Sequence, residues 1–317
     1  MLKKSPDSLV AIDLAPDALR ILDVSVRRGE PIIRAIGTET LPEGKTDTLP
    51  ERHLEALKKL LEVHRIKTRN CVAAVPTSLV TTRSVMIDPS RSQTPEEQIK
   101  LTLQNILTYD ARDLLFDYWK VTEPKNNHAY EVLVVACQRT VVHRYLNGFK
   151  KLKLACIHMD VAPCALAPLL AKLMPKQENM IGAVALGETM GYFTVVEKDR
   201  VLFWRPFELP PPKSGQHSGL ERVGDEISKC VSHMVGSQHL DSLQEIVLFG
   251  NNSQDAGFAS YLVTRFNLQV KAPSPFEFLP ANGMPADLRT ALQRTAASHY
   301  AAALGLVLQS ASGGSHG

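Results

Sequence analysis

No stretch of the chain approaches the roughly 18 consecutive apolar residues that a membrane-crossing helix needs. The apolar run nearest the start, residues 9–14, is short and broken by Asp13, which argues against a secretory signal and for a cytoplasmic chain. Only five cysteines are present, Cys71, Cys137, Cys156, Cys164 and Cys230. Odd in number and widely spaced, they read as small buried thiols and not as a disulfide framework. The ten histidines never fall at metal-ligand spacing beside a cysteine pair, so no metal site is expected. Charge of one sign is lacking too: 36 basic residues face 33 acidic ones, a formal balance of +3. That gives no dense basic face for phosphates, and nucleic acid is not expected as a partner. What the chain does have is an ordinary apolar share of 44% over 317 residues, enough for about two domains.

Its most informative feature is an element order that occurs twice. Residues 9–13 read as a buried strand, 19–26 as a strand with one mixed and one apolar face, and 31–40 as a third strand after a turn at Arg28-Gly29-Glu30. Leu54, Leu57, Leu60 and Leu61 then fall at helical spacing, and residues 71–75 form a buried strand stopped by Pro76. The same order returns with strands at 181–186, 190–197 and 201–208, a helix at 220–234 and a strand at 245–249. Two such units in one chain point to a duplicated α/β fold whose halves face each other across a cleft.

Between the copies lies an insertion. Residues 81–87 are strand-like, and Thr94-Pro95-Glu96-Glu97 opens a helix with Thr as N-cap and Glu closing a capping box. Ile99, Leu103, Ile106 and Leu107 form its apolar stripe. Residues 114–122 and 130–138 read as an antiparallel pair around a polar turn at 124–128, followed by a helix at 140–151 and a strand at 154–159. Residues 161–174 form a helix linking the halves.

This order resembles the actin-like (ribonuclease H-like) superfamily, in which two βββαβα halves surround a cleft and a small α+β subdomain is inserted in the first half. Within it the chain resembles the PilM family of type IV pilus assembly proteins, and less closely the FtsA family of cell division. The stretches that carry the resemblance are Leu9-Val10-Ala11-Ile12-Asp13, Ala73-Ala74-Val75-Pro76, Phe116-Asp117-Tyr118, Asp160-Val161, residues 182–189, 247–250 and the terminal Tyr300-Ala301-Ala302-Ala303-Leu304-Gly305-Leu306. The resemblance implies a first domain of residues 1–79, about 161–180 and a C-terminal helix at 286–309. It implies an inserted subdomain at 80–160, a second domain at 181–285 with a reduced helical subdomain, and a disordered tail at 310–317.

It also implies a cleft for ATP with Mg, held by Asp13, Arg20, Gly187, Glu188, Thr189, Gly250 and Asn251, with Asp13 the one metal contact if Mg-ATP binds. The cradle departs from the family pattern. Ala15 and Pro16 stand where a Gly and an N–H donor are wanted, Ala185 and Ala162 replace acidic residues, and Gly250-Asn251-Asn252-Ser253 replaces a run of glycines. Efficient hydrolysis is therefore not expected, and no catalytic residue is assigned. Read without the resemblance, Asp13 is a turn residue, Arg20 an edge-strand cation, and Gly187 and Gly250 serve backbone geometry.

The inserted subdomain survives those losses. In the PilM family it takes the N-terminal cytoplasmic peptide of a membrane-anchored partner, PilN, and here Val75, Pro76, Thr77, Leu101, Gln104 and Asn105 are the expected groove. A cytoplasmic adaptor is the preferred expectation, peripheral to the inner membrane through a PilN-like protein and without membrane insertion of its own. Pilus motor proteins and self-association are further expected contacts. An ATP-switched assembly or cell-division protein is the alternative, and a small-molecule kinase a weaker third.

Overall fold

The computed structural model describes residues 7–27, 30–42, 44–107, 110–122, 128–175, 179–209, 218–235, 243–280, 284–294 and 297–311. The first half begins with β1 (Ser8–Leu14), β2 (Ala18–Arg27) and β3 (Glu30–Thr40), then α1 (Leu49–Val63) and β4 (Asn70–Val75). β1 is apolar on both faces and buried from Leu9 to Leu14, the pattern of a central strand. It pairs antiparallel with β2, which pairs with β3, and parallel with β4.

The second half repeats this with β9 (Met180–Leu186), β10 (Met190–Glu197), β11 (Arg200–Glu208), α5 (Ser218–Val235) and β12 (Leu243–Gly250). β9 is the central strand, antiparallel to β10 and parallel to β12. A fifth strand closes each sheet, β8 (Ala155–Val161) on β4 and β13 (Gln269–Lys271) on β12. The strand orders β3-β2-β1-β4-β8 and β11-β10-β9-β12-β13 are topologically the same, so the duplication is borne out.

The insertion is smaller than expected. It holds β5 (Val80–Ile87), α2 (Pro95–Ile106), β6 (Leu114–Lys120) and β7 (Tyr130–Gln138), with sheet order β5-β7-β6. The next helix, α3 (Arg139–Lys151), packs against α1, and β8 hydrogen-bonds to β4. These two elements therefore belong to the first sheet and not to an insertion ending at 160. Local pattern places a strand but says nothing about which sheet will accept it. The α2 capping box forms as expected, Thr94 accepting from the Glu97 amide and Glu97 from the Thr94 amide. Ile99 and Leu103 are buried, whereas Ile106 is 48% exposed and leaves the predicted stripe.

Three apolar clusters support this frame. One lies between the first sheet and α1 and α3, another between α2 and the inserted sheet. The largest runs through both halves and the insertion, joining Leu22, Val72, Leu133, Val184 and Phe249 to α4 (Ala162–Leu173) and α8 (Ala301–Ala311). Both helices are buried on nearly every side, which explains why their sequences carry almost no polar stripe. The helix expected at 286–309 is two, α7 (Ala286–Arg294) and α8, with a 3-10 turn at Ala297–Tyr300 before the second. The expected tail shortens, since α8 runs through Ser310 and Ala311; residues 312–317 lie outside the described residues, as do Arg28, Gly29, 124–127 and the proline-rich 210–217.

Candidate functional site

Two hairpin turns face each other between the halves. The first, Ala15-Pro16-Asp17, joins β1 to β2; the second, Gly187-Glu188-Thr189, joins β9 to β10. A small cavity of about 60 Å³ separates them, lined in part by Asp13, Arg20, Val75, Ala162, Ala185 and Gly187. Arg20 donates from Nη1 to Asp13 Oδ2 and from Nη2 to His299 Nδ1, each at 3.5 Å. Burial holds the Asp13 carboxyl up at about 6, against the opposing pull of the Arg20 charge. Burial and then Arg20 push His299 down, which keeps its Nδ1 free to accept.

The turns do more than face each other. Asp17 reaches across, and its Oδ2 accepts from the Glu188 amide and, at 3.4 Å, from the Thr189 amide. Gly187 leaves room for this contact, because a Cβ at its position would lie 2.7 Å from that oxygen and displace it. From below, His53 fixes the first turn: its Nε2 donates to the Ala15 carbonyl at 2.8 Å, and its Nδ1 accepts from the Tyr145 hydroxyl at 2.9 Å. Burial lowers His53 to about 4, so the ring is neutral at pH 7.

At the rim of the second turn, Asn251 Nδ2 donates to the Gly187 carbonyl and to Glu188 Oε1 at 2.8 and 2.9 Å. Gly250 has φ +80°, and a Cβ there would collide with the Leu186 carbonyl. Ser298 ties the 3-10 turn at Ala297–Tyr300 to this corner through Ser253 Oγ and the Gly250 carbonyl. Beyond the corner is an open pocket of about 1000 Å³, lined by Asn251, Ser253, Phe276, Leu279, Met284 and Arg289 among others.

ATP with Mg, which the fold family implies, meets this geometry unevenly. The open pocket has room for a nucleoside. The phosphate side does not fit: its cavity is small, Pro16 offers no N–H, Ala185 and Ala162 offer no metal ligand, and the Glu188 and Thr189 amides are already taken by Asp17.

The expected residues Asp13, Arg20, Gly187 and Gly250 thus converge on one cleft, with Glu188 and Thr189 on its second turn and Asn251, after β12, bonded to that turn. The expected peptide groove divides instead. Val75 and Thr77 are buried and line the cleft, and Pro76 is buried between them. Leu101, Gln104 and Asn105 are exposed on α2. Asp17, His53, Ser298 and His299 were not anticipated; of these only Asp17 left a trace in the sequence, as an acidic residue closing the first turn.

A family model described as type IV pilus assembly protein PilM matches residues 11–209. Among solved structures, the chain is similar to a PilM–PilN type IV pilus biogenesis complex, with a TM-score of 0.77 at 18% identity, over 97% of this chain and 99% of the other. It is also similar to a Bacteroides thetaiotaomicron protein with an actin-like ATPase fold and unknown function, with a TM-score of 0.51 at 14% identity, over 92% and 98% of the two chains.

Proposed function

The chain belongs to the family of type IV pilus assembly protein PilM, and from that membership we propose that it is a cytoplasmic adaptor. It docks on the N-terminal cytoplasmic peptide of a membrane-anchored, PilN-like partner and needs no nucleotide turnover to do so. Likeness to a solved PilM–PilN complex supports the choice of partner. Among the described residues no helix is long and apolar enough to cross a membrane, which is consistent with attachment through another protein.

The observation that carries the docking surface is the inserted sheet. Among the described residues β5 is an edge strand paired with β7 alone, so its outer row of N–H and C=O groups, apart from the Thr82 carbonyl that Arg83 Nη1 holds at 2.8 Å, is left for a peptide strand. α2 flanks that edge: it packs on β5, and Gln98 clamps the loop after it through the Asp88 amide and carbonyl. Leu101, 46% exposed, Gln104, Asn105 and Ile106 extend the strip with an apolar anchor and two amides. Unpaired edge plus exposed Leu and Ile is a costly surface to leave bare, and a bound peptide covers it.

Calorimetric titration with the partner's N-terminal peptide tests this. The unaltered chain is expected to bind. Leu101→Asp should weaken binding by about tenfold or more, the range expected for a buried anchor, with unchanged thermal stability. Absence of binding to the unaltered chain refutes the docking reading.

A further inference from the structure

The disagreement between this cleft and the nucleotide it belongs to in related folds has a definite cause. We infer that the Asp17 carboxylate is a built-in substitute for a phosphate group: it satisfies the second turn's amides from within, latches the two halves together and keeps nucleoside polyphosphates out. This goes beyond the docking reading and does not depend on it.

Three observations converge on Asp17. Its Oδ2 lies against successive amides of the second turn, at Glu188 and Thr189, where the backbone presents two donors to one anion. Asp17 is 9% exposed, and among the described residues its buried Oδ1 has no hydrogen-bond partner, so Oδ2 makes the hydrogen bonds of this side chain. The contact crosses 171 residues of sequence, from the first half to the second, which makes it a tie between halves and not a local turn. Its own backbone is anchored as well, the Asp17 carbonyl accepting from the Leu41 amide at 2.8 Å.

Charge completes the case. Among the described residues Asp13 and Asp17 share the cleft wall with one Arg or Lys, Arg20, while Glu188 stands at the rim and His299 is held toward its neutral form. An incoming phosphate would have to displace one carboxylate and sit near two others. A cradle with Gly in place of Pro16 would offer it another amide; this one does not. The cleft is therefore closed by chemistry of its own.

The test compares the unaltered chain with Asp17→Ala and Asp17→Asn, using hydrogen exchange of the Glu188 and Thr189 amides and titration with pyrophosphate and ATP, each with and without Mg. In the unaltered chain these amides should be protected and pyrophosphate should give no thermal shift. Asp17→Ala should speed their exchange about tenfold or more, the factor that one charge-assisted hydrogen bond carries, and pyrophosphate should restore protection and raise the melting temperature. Asp17→Asn, which keeps the shape and one acceptor but not the charge, should fall between and guards against a failure of the alanine variant to fold. The inference is overturned if the unaltered chain binds ATP or pyrophosphate as tightly as Asp17→Ala, or if exchange at Glu188 and Thr189 is the same in all three proteins. Titration of the same variants with the partner peptide separates the two readings, since docking on α2 and β5 should be unaffected.

Discussion

Asp13 and His53 are buried on either side of the first turn, and their burial pulls stability in opposite directions with pH. Asp13 sits at about 6, above its ordinary 3.8, so the folded state holds its proton longer than the unfolded one and stability falls as pH rises from about 4 to about 6. His53 sits at about 4, below 6.5, so the unfolded state takes up the proton first and stability falls as pH drops from about 6.5 to about 4. Each effect is on the order of 3 kcal/mol at about 1.4 kcal/mol per unit. In the unaltered chain they largely cancel. Asp13→Asn is therefore expected to raise stability at pH 7 and to expose a clear loss toward pH 4.5, whereas His53→Gln should show stability rising as pH falls from 6 to 4. Denaturant titrations at pH 4.5, 5.5 and 7 check both; parallel profiles for all three proteins would contradict the assignment. Arg20 and Asp17 face Asp13, and Arg52, Asp17 and the Tyr145 hydroxyl surround His53, so both variants alter a shared network. Asp13, Arg20, Gly187 and Gly250 could be picked out through the family resemblance alone, since read on their own they are a turn residue, an edge-strand cation and two glycines serving backbone geometry. Asp17 and His53 could not, since their partners lie far along the chain: the Glu188 amide and the Tyr145 hydroxyl.

Strands and helices show the same division. β1 through β4 and β9 through β12 lie within a few residues of where apolar alternation puts them. The misplaced elements are α3 and β8, whose pattern is sound but whose neighbours are α1 and β4. α8 makes the point through one residue. Gly305 lets its backbone approach α4 so closely that a Cβ would collide with the Ala165 carbonyl. The sequence Ala301-Ala302-Ala303-Leu304-Gly305-Leu306 announces a buried helix, but only the crossing with α4 explains the glycine. Gly305→Ala is expected to destabilise the protein by about 3 kcal/mol or more through overpacking against a backbone that cannot yield. A melting temperature within a degree of the unaltered chain would show that the two helices separate at little cost.

Across the molecule, one apolar cluster runs through both halves and the insertion. Domains that share so large an apolar contact do not rotate freely. The insertion is tied down again where Trp119 on β6 donates from Nε1 to the Val201 carbonyl on β11. Trp119→Phe keeps most of the packing and loses that bond, so a cost of about 1 kcal/mol is expected, with faster hydrogen exchange in β6 and unchanged exchange in α1; equal exchange in β6 would remove the tie. A stiff frame that carries the β5 edge beside α2 suits an adaptor, which must hold its docking strip in place.

By itself the sequence determined that two strand-hairpin units recur around an insertion, while the actin-like order and the lost phosphate ligands came from the family resemblance. Apolar period, turn residues and side-chain type are properties of adjacent positions. Only the tertiary structure decided that β8 completes the first sheet, that Val75 and Thr77 face the cleft, and that Asp17 fills the opposite turn. Those depend on contacts between residues far apart in the chain, and for Asp17 the free energy exists only once both halves have folded and met.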